Sequence, residues 1–286
     1  MTTHDTFDIG GDLRVRRMGF GAMRLPVSGP GAPPNDRGTA LKILRRAVEL
    51  GVDHIDTAAF YYHQEGEAAN ELIRTALSPY PPGLVIATKV GPYRGPGDPF
   101  PSGQVPTSGL RAEVERNLRE LGRDRLDLVY LRHGGLEAPA DEPIGERFQV
   151  LAGLREEGLI RHLGLSHVTP AQLAEAREIA PVAAVQNRFD ITRPQDAALL
   201  ETCEREHIAY APYFPLGGFG IPDDARVSAV AARHGATVPQ VLLAGLLALS
   251  PVMLAIPGTG SPDHLEENTA AAGLALTAGD LAALRS

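Results

Sequence analysis

One alternation constrains this chain more than any other feature: a short apolar run, then a longer segment with helical spacing, repeated along its length. The strand-like runs are "MGFGAM", "HIDTA", "LVIATK", "LDLVYL", "RHLGLS", "AAVQN", "IAYAPY" and "MLAIPG". Between them lie "GTALKILRRAVELG", "EAANELIRTAL", "SGLRAEVERNLRELG", "IGERFQVLAGLREEG", "TPAQLAEAREIA", "PQDAALLETCERE" and "VSAVAARHGATVPQVLLAGLLALS", with "SPDHLEENTAAAG" after the last run. In these segments apolar residues recur at the intervals of an amphipathic helix. Strands separated by helices predict a parallel sheet, and strands apolar on both faces predict a sheet covered on both sides. Eight repeats within 286 residues favour closure into a (β/α)8 barrel, one domain over residues 1–286, over an open sheet.

Local signals agree. Thr169-Pro170 and Ser261-Pro262 read as helix starts, and Gly51, Gly122 and Gly158 as helix ends. The opening "TFDIGGDLRVRRMG" predicts a β-hairpin that turns at Gly10-Gly11 and plugs the bottom of the barrel. Region 91–108, rich in Gly and Pro, predicts a long loop over the C-terminal face. A doubly wound dinucleotide fold needs G-x-G-x-x-G after an early strand. "GFGAMR" ends in Arg24, and "GFGIP" and "GTGSPD" lack the third glycine as well, so a bound dinucleotide would be held in another way.

Composition narrows the partners. A net charge of −8 without a run of five Lys or Arg argues against a nucleic-acid partner. A single cysteine, Cys203, leaves no internal disulfide and no cysteine metal cluster. It fits a reducing cytoplasm, as does a start without a basic region followed by an apolar one. The most apolar run, "VLLAGLLALSPVMLAIP", is broken by Pro251 and falls short of the roughly 20 residues that cross a bilayer. No membrane partner is expected.

Chemistry in a barrel sits at the C-terminal ends of its strands. The predicted strand ends carry Asp56, Lys89, Arg132 and His133, Ser166 and His167, Gln186 and Asn187, and Tyr213. Each alone has an ordinary explanation: a loop cap, a snorkelling lysine, satisfied loop backbone. Together they are harder to explain by packing, because a buried carboxylate or ammonium is costly unless paired. Asp56 and Lys89 end neighbouring strands and are placed to pair. Tyr61 follows five residues after Asp56. A tyrosine hydroxyl ordinarily titrates near about 10. A neighbouring ammonium favours its phenolate, and a carboxylate keeps that ammonium charged and aimed. Such a relay suits general acid catalysis at a carbonyl oxygen, or the reverse at an alcohol. A metal-dependent hydrolase would need clustered ligands, and the 9 histidines form no H-x-H pair at a strand end.

The stretches "GFGAMRL", "GVDHIDTAAFY", "NELIRTAL", "LVIATKVG", "LDLVYL", "GLIRHLGLSHVTPAQL", "VQNRFDI", "PLGG" and "AIPGTGSPDHLEENTAAAG" resemble the aldo-keto reductase family, in order and over nearly the whole chain. Arg132 and the run Tyr213 to Gly217 resemble its bacterial NADPH-dependent pyridoxal reductases. The resemblance implies a (β/α)8 barrel that binds NADPH, in preference to NADH, across its C-terminal face and reduces an aldehyde or ketone. It implies the catalytic residues Asp56, Tyr61 and Lys89. The family's histidine falls at Arg132, which polarises a carbonyl or binds an anionic substituent but does not act as an acid. His133 is the alternative, and side-chain alternation along the strand argues for Arg132. His133 and Tyr62 are then expected at the substrate pocket, with simple loop packing as the other reading of Tyr62.

The resemblance also implies the cofactor residues. Gly21 and Met23 belong to this set. Ser166, His167 (where Asn is usual) and Gln186 would hold the carboxamide, and Tyr213 would stack on the nicotinamide ring. Phe214, Pro215, Leu216 and Gly217 would run beside the pyrophosphate. Pro257, Gly258, Thr259, Ser261 and His264 would receive the 2′-phosphate, and Glu267 and Asn268 the adenine. Substrate choice is expected from 91–108, Leu136 to Pro143 and Ile221 to Arg226. The expected state is a monomer or weak homo-oligomer. The rival reading is a cofactor-binding regulatory protein with vestigial chemistry, which the changed residues Arg132 and His167 would suit.

Overall fold

The computed structural model describes residues 5–285 except 30, 65, 96, 99–100, 136–140, 193–195 and 219. An antiparallel hairpin, β1 (Thr6–Ile9) and β2 (Leu13–Arg16), comes first. A curled parallel sheet is built from β3 (Phe20–Gly21), β4 (His54–Asp56) and β5 (Val85–Val90), then β8 (Leu126–Arg132), β9 (Ile160–Ser166), β10 (Val182–Gln186) and β11 (Ala209–Tyr210). Its order is β11-β10-β9-β8-β5-β4-β3. The short pair β6 (Pro92–Tyr93) and β7 (Gly103–Gln104) lies within the segment expected to be a plain loop.

The helices are α1 (Arg37–Glu49), α2 (Ala69–Leu77), α3 (Leu110–Leu121), α4 (Gly145–Glu156), α5 (Pro170–Ile179), α6 (Ala197–Arg205), α7 (Ala225–His234), α8 (Val238–Leu249), α9 (Pro262–Ala270) and α10 (Ala278–Arg285). Thr169 caps α5 through the Gln172 N–H, and Gly122 ends α3 in the left-handed conformation. The long segment before the last strand divides in two. Gly235 turns left-handed at φ 58° and Thr237 starts a new helix with a capping box. Among the described residues no helix is long and apolar enough to cross a membrane.

The eighth expected strand is an irregular segment. Residues 252–257 make single bridges rather than a ladder: Tyr210 with Met253 on one side, Met18 with Ala255 on the other. Its backbone nonetheless bonds both edges of the sheet. Leu254 N donates to Tyr210 O at 2.8 Å, Ala255 N to Arg17 O at 2.8 Å, and Gly19 N to Ala255 O at 2.8 Å. Pro257 has no N–H to continue the ladder, so it only accepts, from Gly21 N at 3.2 Å. The arrangement fits a (β/α)8 barrel. At this seam a Cβ on Gly21 would meet Ile256 O at 2.6 Å, and one on Gly258 would meet Gly21 O at 2.4 Å. Two glycines are required because the two backbones touch.

The hairpin faces the sheet interior. Ile9, Leu13 and Val15 are buried against Val85, Leu128, Tyr130, Ala183 and Leu254. Asp12 at its turn accepts from Arg161 at 2.7 Å and lies 2.5 Å from His162 Nε2. At the other end, α10 is tied to α7 through Asp280, which bonds Arg233 (2.5 Å), His234 (2.8 Å) and Thr277 Oγ1 (2.7 Å). The Arg233 hydrogen bond, then those of Thr277 and His234, hold the Asp280 carboxyl below the usual carboxylate range. A depressed carboxyl stabilises the fold above its unfolded pKa, and the contribution is lost as pH falls through the folded value. Melting temperature should therefore fall more steeply for the wild type than for Asp280→Asn from about pH 5 to about pH 2. Parallel curves in thermal melts followed by circular dichroism would refute this.

Candidate active site

Sheet register sets the polar groups in one inward row. Asp56 pairs with Ala87, so Lys89, two residues on, faces the same side. Lys89 pairs with Tyr130, and Arg132, again two residues on, pairs with Ser166, which pairs with Gln186. Lys89 is 1% exposed. Its ammonium donates to Asp56 Oδ1 at 2.5 Å and to Thr57 O at 3.0 Å. Gln186 Nε2 donates to the other Asp56 oxygen at 2.8 Å. The buried charges are thus paired and hydrogen-bonded, the condition under which they are tolerated. The ammonium also lies 4.9 Å from the ring centre of Tyr61.

A polar network stands behind this pair. Thr57 Oγ1 donates to Asn70 Oδ1 at 2.9 Å, Asn70 Nδ2 to Asn117 Oδ1 at 2.9 Å, and Thr88 Oγ1 to the same oxygen at 2.6 Å. Both asparagines are fully buried, and the bonds fix the residues next to Asp56 and Lys89. A second tyrosine, Tyr130, lies in the same interior. Burial first, and the Asp56 charge second, push its hydroxyl well above the ordinary range. It stays protonated and does not line the cleft, so it does not compete with Tyr61.

A cleft of about 1370 Å³ opens at the C-terminal end of the sheet. Asp56, Tyr61, Tyr62, Arg132 and Gln186 line one end. Tyr213, beside Arg132, also lines it, as do Gly21, Met23, Phe214, Pro215 and Leu216. Pro257, Gly258, Thr259, Ser261, His264, Glu267 and Asn268 continue it past α9. Lys89, Ser166, His167 and Gly217 stand behind the surface. His133, expected at the substrate pocket, does not line it. It follows Arg132 along the chain and takes the other side, with Nε2 3.7 Å from Glu142, and burial lowers its pKa.

Arg132 donates to Ser166 Oγ at 3.1 Å and to Gly135 O at 2.8 Å, and lies 4.7 Å from the ring centre of Tyr213. Among the described residues no carboxylate pairs with it. Tyr213 Oη lies 2.7 Å from His167 Nδ1, and burial raises its pKa against the opposing pull of Arg132. His167 holds a left-handed backbone, φ 63°, a conformation that asparagine adopts more readily than most residues. Tyr62 both walls the cleft and packs: its ring lies 4.2 Å from the Arg94 guanidinium.

Two features bear on a nucleotide. Gln186 Oε1 is buried without a hydrogen-bond partner, an acceptor suited to an amide N–H2. The start of α9 is less open than the sequence suggests. Thr259 Oγ1 accepts from Ser261 N at 3.0 Å, Ser261 Oγ accepts from His264 N at 3.4 Å, and Pro262 has no N–H.

Comparison with known proteins adds the family. The model described as Aldo/keto reductase family matches residues 17–286. The chain belongs to the aldo/keto reductase family. These proteins are oxidoreductases. This member is 45% identical over 275 residues to pyridoxine 4-dehydrogenase of Escherichia coli (strain K12), covering 96% of this chain and 94% of that one. It is 40% identical over 269 residues to an uncharacterized oxidoreductase of Schizosaccharomyces pombe (strain 972 / ATCC 24843), covering 93% and 85% of the two chains. A crystal structure of an aldo-keto reductase from Klebsiella pneumoniae in complex with NADPH superposes with a TM-score of 0.80 at 25% identity, over 99% of this chain and 94% of that one.

Several cleft residues of this reductase escaped the sequence reading. Arg94 and Asp98 line the cleft, and Arg24 donates to Gly218 O at 2.8 Å. Polar residues in a Gly- and Pro-rich loop carry no sequence signal, because solvent-exposed loops ordinarily contain them. Of the three segments expected to choose substrate, 91–108 lies outside the described residues only at 96, 99 and 100, and the second lies outside them at 136–140.

Proposed function

We propose that this protein reduces an aldehyde or ketone to the alcohol with NADPH in a one-chain (β/α)8 barrel. The buried Asp56–Lys89 pair, with the Tyr61 ring beside the ammonium at the floor of the cleft, carries this reading. NADPH, when bound, supplies the hydride that reaches the carbonyl carbon. Tyr61 gives its hydroxyl proton to the carbonyl oxygen, and the Lys89 ammonium stabilises the charge left on it. Asp56 keeps that ammonium aimed. Arg132 orients the carbonyl and stabilises negative charge at its oxygen. Gln186 Oε1 would accept from the carboxamide N–H2, with Ser166 and His167 behind it fixing Arg132 and Tyr213, and Tyr213 would pack on the ring. Ser261 and His264 receive the 2′-phosphate. With a histidine, not a permanent cation, at 264 and the Ser261 and His264 N–H groups already bonded, preference for NADPH over NADH is modest. A regulatory binding module would have no use for a buried ion pair under a tyrosine.

Three observations favour a ring-bearing carbonyl of the pyridoxal type. Aromatic side chains, Phe60, Tyr61, Tyr62 and Tyr213, wall the substrate end. The buried Arg132 cation has no carboxylate partner among the described residues, and an ionised ring oxygen would supply the missing charge. The relative from Escherichia coli is a pyridoxine dehydrogenase. The cleft is lined by one chain, so a monomer suffices, and buried Cys203 fits a reducing cytoplasm.

The test is NADPH oxidation on a carbonyl panel, with pyridoxal beside benzaldehyde and a short aliphatic aldehyde. Pyridoxal should have the highest kcat/KM. Arg132→Leu should lower that value by about 10- to 200-fold, the effect of roughly 1.5–3 kcal/mol lost with a charged hydrogen bond, while costing benzaldehyde less. Equal losses on both would refute pairing of Arg132 with a ring oxygen and leave it only the role at the carbonyl. Absence of turnover on every carbonyl, with NADPH bound, would favour the regulatory reading.

A further inference from the structure

Residues 57–62 carry Tyr61 and form neither helix nor strand, and only Thr57, whose N–H donates to Ala87 O at 2.8 Å, extends the β4–β5 ladder. Every backbone carbonyl of the segment is nonetheless taken. Thr57 O accepts from Lys89 Nζ at 3.0 Å. Ala58 O accepts from Tyr61 N at 3.0 Å, and Tyr61 O from Ala69 N at 2.8 Å. Ala59 O accepts from Arg116 Nη2 at 3.0 Å. Phe60 O and Tyr62 O both accept from Arg94 Nη1, at 3.0 and 2.6 Å. Four of six successive carbonyls are therefore held by three cations, Lys89, Arg94 and Arg116. Arg94 spans the residues on either side of Tyr61 and stacks on Tyr62. Its own loop is fixed in turn: Nε donates to Asp98 O at 2.8 Å, and the Asp98 carboxylate accepts from Gly95 N at 3.1 Å and Ser102 Oγ at 2.5 Å.

We infer that Arg94 is a positioning residue of this enzyme, fixing the backbone on both sides of Tyr61 so that its hydroxyl is held at one place relative to Lys89 and the substrate. A charged N–H donor bonds a carbonyl more strongly than a neutral one, and one guanidinium nitrogen bridging two carbonyls sets their separation. Arg116, held by Glu120 Oε1 at 2.7 Å, anchors the same segment from behind. The inference rests on the reductase reading, because it acts through Tyr61.

The experiment is a double-mutant cycle on kcat with pyridoxal and NADPH, using Arg94→Met, Tyr61→Phe and the pair. Misplacing a catalytic group by about 1 Å costs on the order of 100-fold, so Arg94→Met should lower kcat about 10- to 100-fold. NADPH affinity, followed by tyrosine fluorescence, should stay within about twofold. In the Tyr61→Phe background the same change should cost less than about threefold, because the group that it positions is gone. Arg94→Lys, which keeps the charge but cannot bridge both carbonyls, should fall between and carries the cycle if Arg94→Met does not fold. Equal losses in the two backgrounds would show a general structural effect and overturn the inference. So would a kcat within threefold of wild type for Arg94→Met. Near-normal turnover of Tyr61→Phe alone would instead overturn the reductase reading.

Discussion

Tyr61→Phe is expected to lower kcat for carbonyl reduction by about 100- to 10,000-fold while leaving NADPH affinity unchanged. The substitution removes one oxygen from a side chain whose ring stays packed against Phe60, at 5.1 Å between centres. Apolar area and loop backbone are preserved, so melting temperature should move little. The loss falls on kcat because the proton is needed in the transition state and not for binding. Tyr130 cannot take over: it is fully buried, held protonated, and away from the cleft. Turnover is read at the nicotinamide absorbance, and retention of more than about a tenth of the wild-type rate would remove Tyr61 from the mechanism.

Lys89→Met should have a larger and broader effect. Methionine nearly matches the lysine stem in volume, so packing is kept while the charge is lost. Asp56 then stays buried with Gln186 as its one remaining hydrogen-bond donor among the described residues. Breaking a buried pair by removing one partner costs about 3–5 kcal/mol. The variant should therefore melt well below wild type as well as losing turnover. Asp56→Asn combined with Lys89→Met removes the orphaned charge. Stability should partly return in the double variant and activity should not. Recovery of both would mean that the pair serves the fold alone.

How much of this was legible follows from where each residue sits. Strands β5, β8, β9 and β10 are flanked by ladders on both sides, so their apolar runs are long and unambiguous. The first, seventh and eighth strands shrink to two residues or to bridges, and hydropathy does not register that Pro212 and Pro257 have no N–H to extend a ladder. Asp56, Lys89 and Gln186 stood out because a polar side chain at the end of an apolar strand must be explained. Arg94, Asn70 and Asn117 did not, since arginine in a loop and asparagine on a helix are ordinary until burial and partners are seen. The separation of Arg132 from His133 was readable from strand alternation. The engagement of Gln186 with Asp56 was not, because cross-barrel contacts between β4 and β10 have no trace in local spacing.

Gly21 meets residues 256–258 backbone against backbone. This joint lies under the cleft, since Gly21, Ile256, Pro257 and Gly258 all border it. A nucleotide lying there would touch both banks of the joint and act as a staple across it. Ligand affinity adds directly to the free energy of keeping such a joint shut.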